Sequence, residues 1–282
     1  RQYIPFLRMK ELFNTVFNAP ISEGGIHYLL NKLVNKSQSA YDLIKQNVQS
    51  TSLPNGADET GVKVCGEKHW AWTWQNEKAT FIKITDNRGQ KSIDQTFENG
   101  FENSVLVHDC WKSHFNTNCI THQICIVHLL RDLNYLTERY NHNWSKTCKN
   151  IFQSAIKLKK LMSEQDYYNH NIRRSHIESE FENLLKVDIP EEHKELVTFK
   201  KRMLKYKDFV FPFLYHPKVP SENNASERAI RNIKVKQKVS GQFKSEKGAD
   251  AFAILRSITD TCIKNGQDIL SSLNLIAKLQ TD

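Results

Sequence analysis

Apolar residues over the first fifty positions recur at spacings of three and four. "FLRMKELFNTVF", "SEGGIHYLLNKLV" and "SAYDLIKQNVQS" therefore predict three helices, the second behind a Ser22 cap, with "LPNG" as the closing turn. From Asp58 the period changes to two. "DETGVKV", "HWAWTWQ" and "ATFIKIT" are short, rich in β-formers and separated by "CGEK" and "NEK", which predicts a three-stranded antiparallel meander. Trp70, Trp72 and Trp74 alternate and so share one face of the middle strand. Such a stripe can stack nucleobases or pack under helices, and the packed core is the expectation. Beyond the turn "DNRGQ", "KSIDQTFENG" reads as a short helix and "SVLVHDC" as a buried strand ending in Asp109. "NCITHQICIVHLLRDLNYLTERY" reads as a short strand passing into a helix. Charged helices continue to about residue 219, and three more, beginning with "SENNASERAIRNIKVKQKVSGQFK", close the chain. The organisation expected is a helical subdomain at 1–56, the first part of an α/β core at 57–135, a helical insertion at 136–219, and the rest of the core at 220–282.

Three strands, then helix, strand, helix, strand, helix is the element order of an RNase H-like fold, a mixed sheet flanked by helices. In that topology the first and fourth strands are neighbours, so Asp58 and Asp109 point to one edge of the sheet. Glu59 faces the other way, because side chains alternate along a strand. Two adjacent carboxylates raise each other's pKa unless a cation holds them, which predicts a hard-metal site. Mg²⁺ (or Mn²⁺) suits oxygen ligands shared with phosphate, and two such ions roughly 4 Å apart stabilise both the attacking and the leaving oxygen of an in-line displacement. Glu227, on the helix that follows the insertion, is the candidate third ligand. A purely local reading competes with this role: Asn224-x-x-Glu227 has the form of a capping box, and Glu227 and Arg231 stand at i,i+4.

Charge then sets the partner. The 282 residues carry 40 Lys+Arg against 31 Asp+Glu, a net charge of +9, which favours a polyanion with nucleic acid the natural candidate, and double-stranded DNA is the partner expected. Arg228, Arg231, Lys234, Lys236 and Lys238, on the helix led by Glu227, are the candidate phosphate contacts. No run of eighteen apolar residues and no charged-then-apolar leader occurs, so the expected setting is cytoplasmic, without a membrane. The chain opens on "RQYIPFLRMK" without a Met and is expected to be part of a longer protein. Six cysteines at 65, 110, 119, 125, 148 and 262 show no Cys-x-x-Cys pair, and reduced thiols are expected. His122, Cys125 and His128 recur every three residues, but a structural zinc site usually shows two clean ligand pairs. The expectation is that Cys125 and His128 pack the start of a helix.

The blocks "ADETGVKVCGEKHWAWTW", "VLVHDCWKSH", "CIVHLLRDL" and "SENNASERAIRNIKVKQKVSGQFKSEKGADAFAILRSITDTCIKNGQD" resemble successive blocks of the insertion sequence 66 family of transposases, members of the Asp-Asp-Glu class. The resemblance runs from about residue 20 to the C-terminus, and Asn223-Asn224-x-x-Glu227-Arg228 is its most specific part. It implies that Asp58, Asp109 and Glu227 are the catalytic triad. It further implies that Cys125-x-x-His128-x-x-Arg131 is a motif following the second acid, and that the active form is a homo-oligomer on DNA. The reaction implied is metal-dependent hydrolysis at the element end, followed by attack of the freed 3′-hydroxyl on target DNA. Two alternatives stand beside it: an RNase H-like nuclease or junction resolvase, and a domesticated DNA-binding protein with no catalysis. The sequence departs from the family at Glu222, where an Asp is usual, and the family's N-terminal DNA-binding and zinc-binding portions have no counterpart in these residues.

Overall fold

The computed structural model of the protein describes residues 3–169 and 171–279. Residues 1–2 and 280–282, at the ends of the first and last expected units, and 170, within the expected insertion, lie outside the described residues. The chain begins with α1 (Phe6–Val16), α2 (Glu23–Lys36) and α3 (Gln38–Ser50). The meander follows as β1 (Asn55–Val64), β2 (Glu67–Gln75) and β3 (Thr80–Thr85), then α4 (Gln90–Thr96), β4 (Phe101–His108), α5 (Lys112–Phe115) and β5 (Cys119–Ile124). Helices α6 (Ile126–Tyr140), α7 (Asn143–Leu161), α8 (Gln165–Tyr168), α9 (Ile172–Lys186) and α10 (Lys194–Lys205) lead through two 3₁₀ turns to α11 (Asn224–Ser240), α12 (Glu246–Lys264) and α13 (Ile269–Lys278).

The five strands form one mixed sheet in the order β3-β2-β1-β4-β5, antiparallel across the meander and parallel from β1 through β4 to β5. This is the expected RNase H-like arrangement. β1 begins three residues earlier than the alternation indicates: Asn55 and Gly56, read as the end of a turn, already pair in parallel with Leu106 and Val107.

Alternation along each strand assigns the layers. Ala57, Trp72, Trp74 and Leu106 pack under α3, α4 and α12 through Tyr41, Ile44, Val48, Ile93, Phe97, Ile254 and Ile258. Trp72 and Trp74 have no exposed surface and stack with centroids 5.5 Å apart, so these two are core; Trp70 is only partly buried. On the opposite face Val62, Val64, Ala71 and Ile82 pack against Ile233 of α11 and Ala249 and Ala253 of α12. The third cluster joins Val105, Val107 and Ile124 to the helices of the long segment between β5 and α11. Tyr41 ties α3 to the sheet by donating from its buried hydroxyl to the Ile82 carbonyl at 2.7 Å. Among the described residues no helix is long and apolar enough to cross a membrane.

Candidate active site

Asp58 sits on the even-numbered side of β1 with Val62 and Val64, the side that α11 covers. Asn55 and Gly56 pair with Leu106 and Val107, and two residues further along each chain Asp58 and Asp109 stand level at the C-terminal end of β4. Each acid has one oxygen fixed by a nearby backbone N–H. Asp58 Oδ1 accepts from Glu59 N at 2.9 Å, and Asp109 Oδ1 accepts from Trp111 N at 2.8 Å. Burial, and after it the charges of Glu59 and Asp109, push the Asp58 carboxyl up to about 7.

The first turn of α11 is seated directly on this end of β1. Asn223, 3% exposed, donates from Nδ2 to the Ala57 carbonyl at 2.7 Å, and its backbone N–H donates to Cys125 Sγ at 3.2 Å. Ser226 is fully buried over Gly56. A Cβ at Gly56 would lie 2.5 Å from Ser226 Oγ, 2.6 Å from Asn223 Oδ1 and 2.7 Å from Gln75 Nε2, so only glycine admits the helix this close. The capping box Asn224-x-x-Glu227 that competed with the ligand role does not form. The N-cap is Asn223, whose side chain makes no cap hydrogen bond because the Ala57 carbonyl holds it.

Glu227, one turn into α11, is one-quarter exposed and faces α6, with no ion pair to Arg231. Its Oε1 lies 3.7 Å from His128 Nε2, and its Oε2 lies 3.5 Å from Arg131 Nη2. Glu227 Oε1 is nonetheless buried without a hydrogen-bond partner. His128 and Arg131 thus stand as a polar edge beside the expected third acid, at ion-pair distance without a hydrogen bond to it. Cys125 is the fully buried N-cap of α6, with its thiol raised by burial. Glu222 lies in the non-helical segment ahead of α11.

Among the described residues no three His, Cys, Asp or Glu side chains are gathered into a ready metal cluster. His122, Cys125 and His128 are not gathered into such a set. His122 instead turns to His108, with His108 Nε2 and His122 Nδ1 3.1 Å apart, and burial, with His114 nearby, lowers His122 to about 4. It also means that Glu227, drawn onto α6, is not gathered with Asp58 and Asp109.

Of the expected phosphate contacts, Arg228, Arg231, Lys234 and Lys238 are exposed on α11. Lys236 is not on that open face: its ammonium lies 4.5 Å from the Phe243 ring centroid, bonds to Ser240 Oγ, and is lowered by burial. A cleft of about 620 Å³ opens elsewhere, beside Ile120 of β5 and Tyr215, and none of the expected site residues lines it.

A group that sequence reading missed lies beneath the two strand acids. Glu59, on the tryptophan side of β1, pairs with Arg88 at 2.7 Å and His114 at 3.0 Å. Arg88 comes from the turn between β3 and α4, and its only local signal is a cation beside the helix-leading Gly89.

No curated protein matches the chain at a significant level. The profile described as Transposase IS66 family matches residues 1–251, most of the chain. The protein thus belongs to the IS66 family of transposases, enzymes that cut DNA and transfer it.

Proposed function

We propose that this chain is a catalytic core of the Asp-Asp-Glu class, in which Asp58, Asp109 and Glu227 hold divalent metal, Mg²⁺ or Mn²⁺, at the strand to be cut. The observation that carries the reading is the pair of level strand acids, one of them pushed up to about 7 by burial and by its acidic neighbours. Structural acids are paired; this one accepts a backbone N–H and is in no ion pair among the described residues. The donor set fits a hard ion, because all three groups offer carboxylate oxygen and Glu227 Oε1 is a buried acceptor without a donor. Bound there, the metal supplies charge stabilisation for an in-line displacement at phosphorus and a nucleophile at neutral pH.

The protein's own groups do the rest. Asp58 on β1 and Asp109 just past the end of β4 are each fixed through one oxygen, leaving the other for a ligand. Glu227 leaves His128 and Arg131 to join them, and those two side chains, 35% and 56% exposed, then face the phosphodiester as donors. Arg228, Arg231, Lys234 and Lys238 track the duplex backbone, setting register without reading sequence. In this reading the core comprises 57–135 and 220–282, 1–56 is a helical subdomain, 136–219 is an insertion, and the working form is a homo-oligomer bridging two DNA ends.

A strand-transfer assay tests the proposal, with pre-cut element ends, a target plasmid and Mg²⁺ or Mn²⁺. Joined product from the wild type and none from Asp109→Asn is the expected result. Cleavage without joining would place the chain with nucleases and resolvases. DNA binding with no metal-dependent nicking would make it a binding protein.

A further inference from the structure

Asp58 and Asp109 lie on one face of the sheet, yet what connects them runs along the other. Glu59, next to Asp58, is 8% exposed, and its carboxylate receives Arg88 Nη2 at 2.7 Å, Arg88 Nε at 2.8 Å and His114 Nε2 at 3.0 Å. The Arg88 guanidinium carbon lies over two indole rings, 3.7 Å from the Trp111 ring centroid and 4.7 Å from that of Trp70. Trp111 Nε1 donates back to the Arg88 carbonyl at 3.3 Å, and Trp111 N donates to Asp109 Oδ1 at 2.8 Å. A second arm closes the same ring, since His114 N donates to the Trp111 carbonyl at 3.1 Å while its imidazole holds Glu59. The path Asp58, Glu59, Arg88, Trp111, Asp109 is thus continuous, and every link is a direct contact.

We infer that Glu59, Arg88 and Trp111 form a strap that sets the separation and carboxylate orientation of Asp58 and Asp109, making Glu59 and Arg88 positioning residues for metal binding. The inference deepens the proposed metal site and rests on it. A buried ion pair is an expensive way to fill a core, and an apolar pair of similar volume does at least as well for stability. What the ion pair adds is direction. A planar guanidinium bonded through Nε and Nη2 to Glu59 Oε1, whose Oε2 is held by His114, and set over two indole rings has one orientation, and it passes that orientation to the Trp111 backbone that aims Asp109. Asp109 lies just past the end of β4 and has no ladder of its own to fix it.

Calorimetric titration with Mn²⁺ alone, on the whole chain, tests this. Asp109→Asn reports on the metal reading and Arg88→Ala on the strap. The expected result is that Asp109→Asn abolishes measurable Mn²⁺ binding, while Arg88→Ala, still folded, binds Mn²⁺ about 10- to 100-fold more weakly. Its strand-cleavage kcat should fall with KM for DNA unchanged. Should Arg88→Ala not fold, Arg88→Lys decides, because lysine keeps the charge opposite Glu59 but cannot lie flat on Trp111. The expected Arg88→Lys protein melts like the wild type and binds Mn²⁺ several-fold more weakly. Wild-type Mn²⁺ affinity in a folded Arg88 variant, with Asp109→Asn defective, overturns the strap alone. Wild-type affinity in Asp109→Asn overturns the metal site and the strap with it.

Discussion

Asp58 and Glu59 are consecutive acids on one strand, and they live in opposite electrostatic regimes. Burial alone would raise both. For Glu59 the hydrogen bond and charge of His114, then those of Arg88, outweigh burial and hold the carboxyl below its ordinary value. For Asp58 burial prevails, Glu59 and Asp109 add to it, and the carboxyl stands near 7. The strand alternation that separates the two residues by one position puts a satisfied acid under the sheet and an unsatisfied one above it. Burial by itself therefore does not mark a functional carboxylate. A missing counter-charge does.

The comparison breaks most decisively at the level of activity. Asp109→Asn and Glu227→Gln should each lower metal-dependent strand cleavage by about 10³-fold or more while leaving DNA binding intact, since only the charge proposed to hold the metal is removed. Glu222→Gln, changed ahead of the helix, should keep most activity. A cleavage-competent Glu227→Gln protein, or the reverse ranking of the two glutamates, would falsify the assignment.

Stability should separate the two neighbours next. Glu59→Ala leaves Arg88 and His114 without their carboxylate and should cost about 3–5 kcal/mol in urea unfolding. Asp58→Asn removes an uncompensated charge and should leave the metal-free protein at least as stable as the wild type at pH 8. The pH dependence follows with opposite signs. Asp58, raised in the folded state, contributes stability that is fully present below its unfolded value and lost as pH rises from about 4 to about 7. Glu59, lowered in the folded state, contributes stability present above its unfolded value and lost as pH falls below it. Melting curves of wild type and Asp58→Asn without metal should therefore diverge above pH 4, the variant holding the higher midpoint. Coincident curves would mean Asp58 is solvated after all.

Smaller effects should divide the basic residues of α11. Lys234→Ala with Lys238→Ala should weaken binding to all DNA sequences alike and flatten the salt dependence by about one unit per lost phosphate contact. Lys236→Ala should leave the slope unchanged, since its ammonium is turned to Phe243 and Ser240. The smallest change is expected from Cys125→Ser. Its hydroxyl can still accept from Asn223 N, so a loss within about 1 kcal/mol and no stoichiometric zinc in either protein are the outcomes. Zinc lost in the variant alone would restore the metal reading of that motif.

What the sequence made legible was local. Alternation at "HWAWTWQ" and "ATFIKIT" gave β2 and β3, and the apolar run into Asp109 gave β4, because period and burial are written into neighbouring residues. Asn55 and Gly56 were misread because Pro-Asn-Gly is a strong turn signal; here glycine answers to Ser226, Asn223 and Gln75, whose approach only the folded chain reveals. The capping box failed for the same reason, since Asn223 prefers a carbonyl 166 residues away in sequence. His128 and Arg131 were visible as a spacing but not as partners of Glu227. Arg88 looked like a turn residue because everything that gives it meaning comes from β1, β2 and the segment after β4.

The seam between Ile126 and Ser221 has a kinetic meaning. Ile126 N donates to the Ser221 carbonyl at 2.8 Å, and Asn223 N donates to Cys125 Sγ across 98 residues of sequence. The chain leaves and re-enters at one place, so the excursion between can change in length with little effect on the acids. Its closure entropy rises only with the logarithm of its length. The same seam cannot form until α11 has been synthesised and the excursion has folded. Contacts of such long sequence separation are the slow ones to close. On the ribosome Asp58 and Asp109 are therefore made long before Glu227, and the sheet surfaces that α11 and α12 cover stay open until those helices arrive.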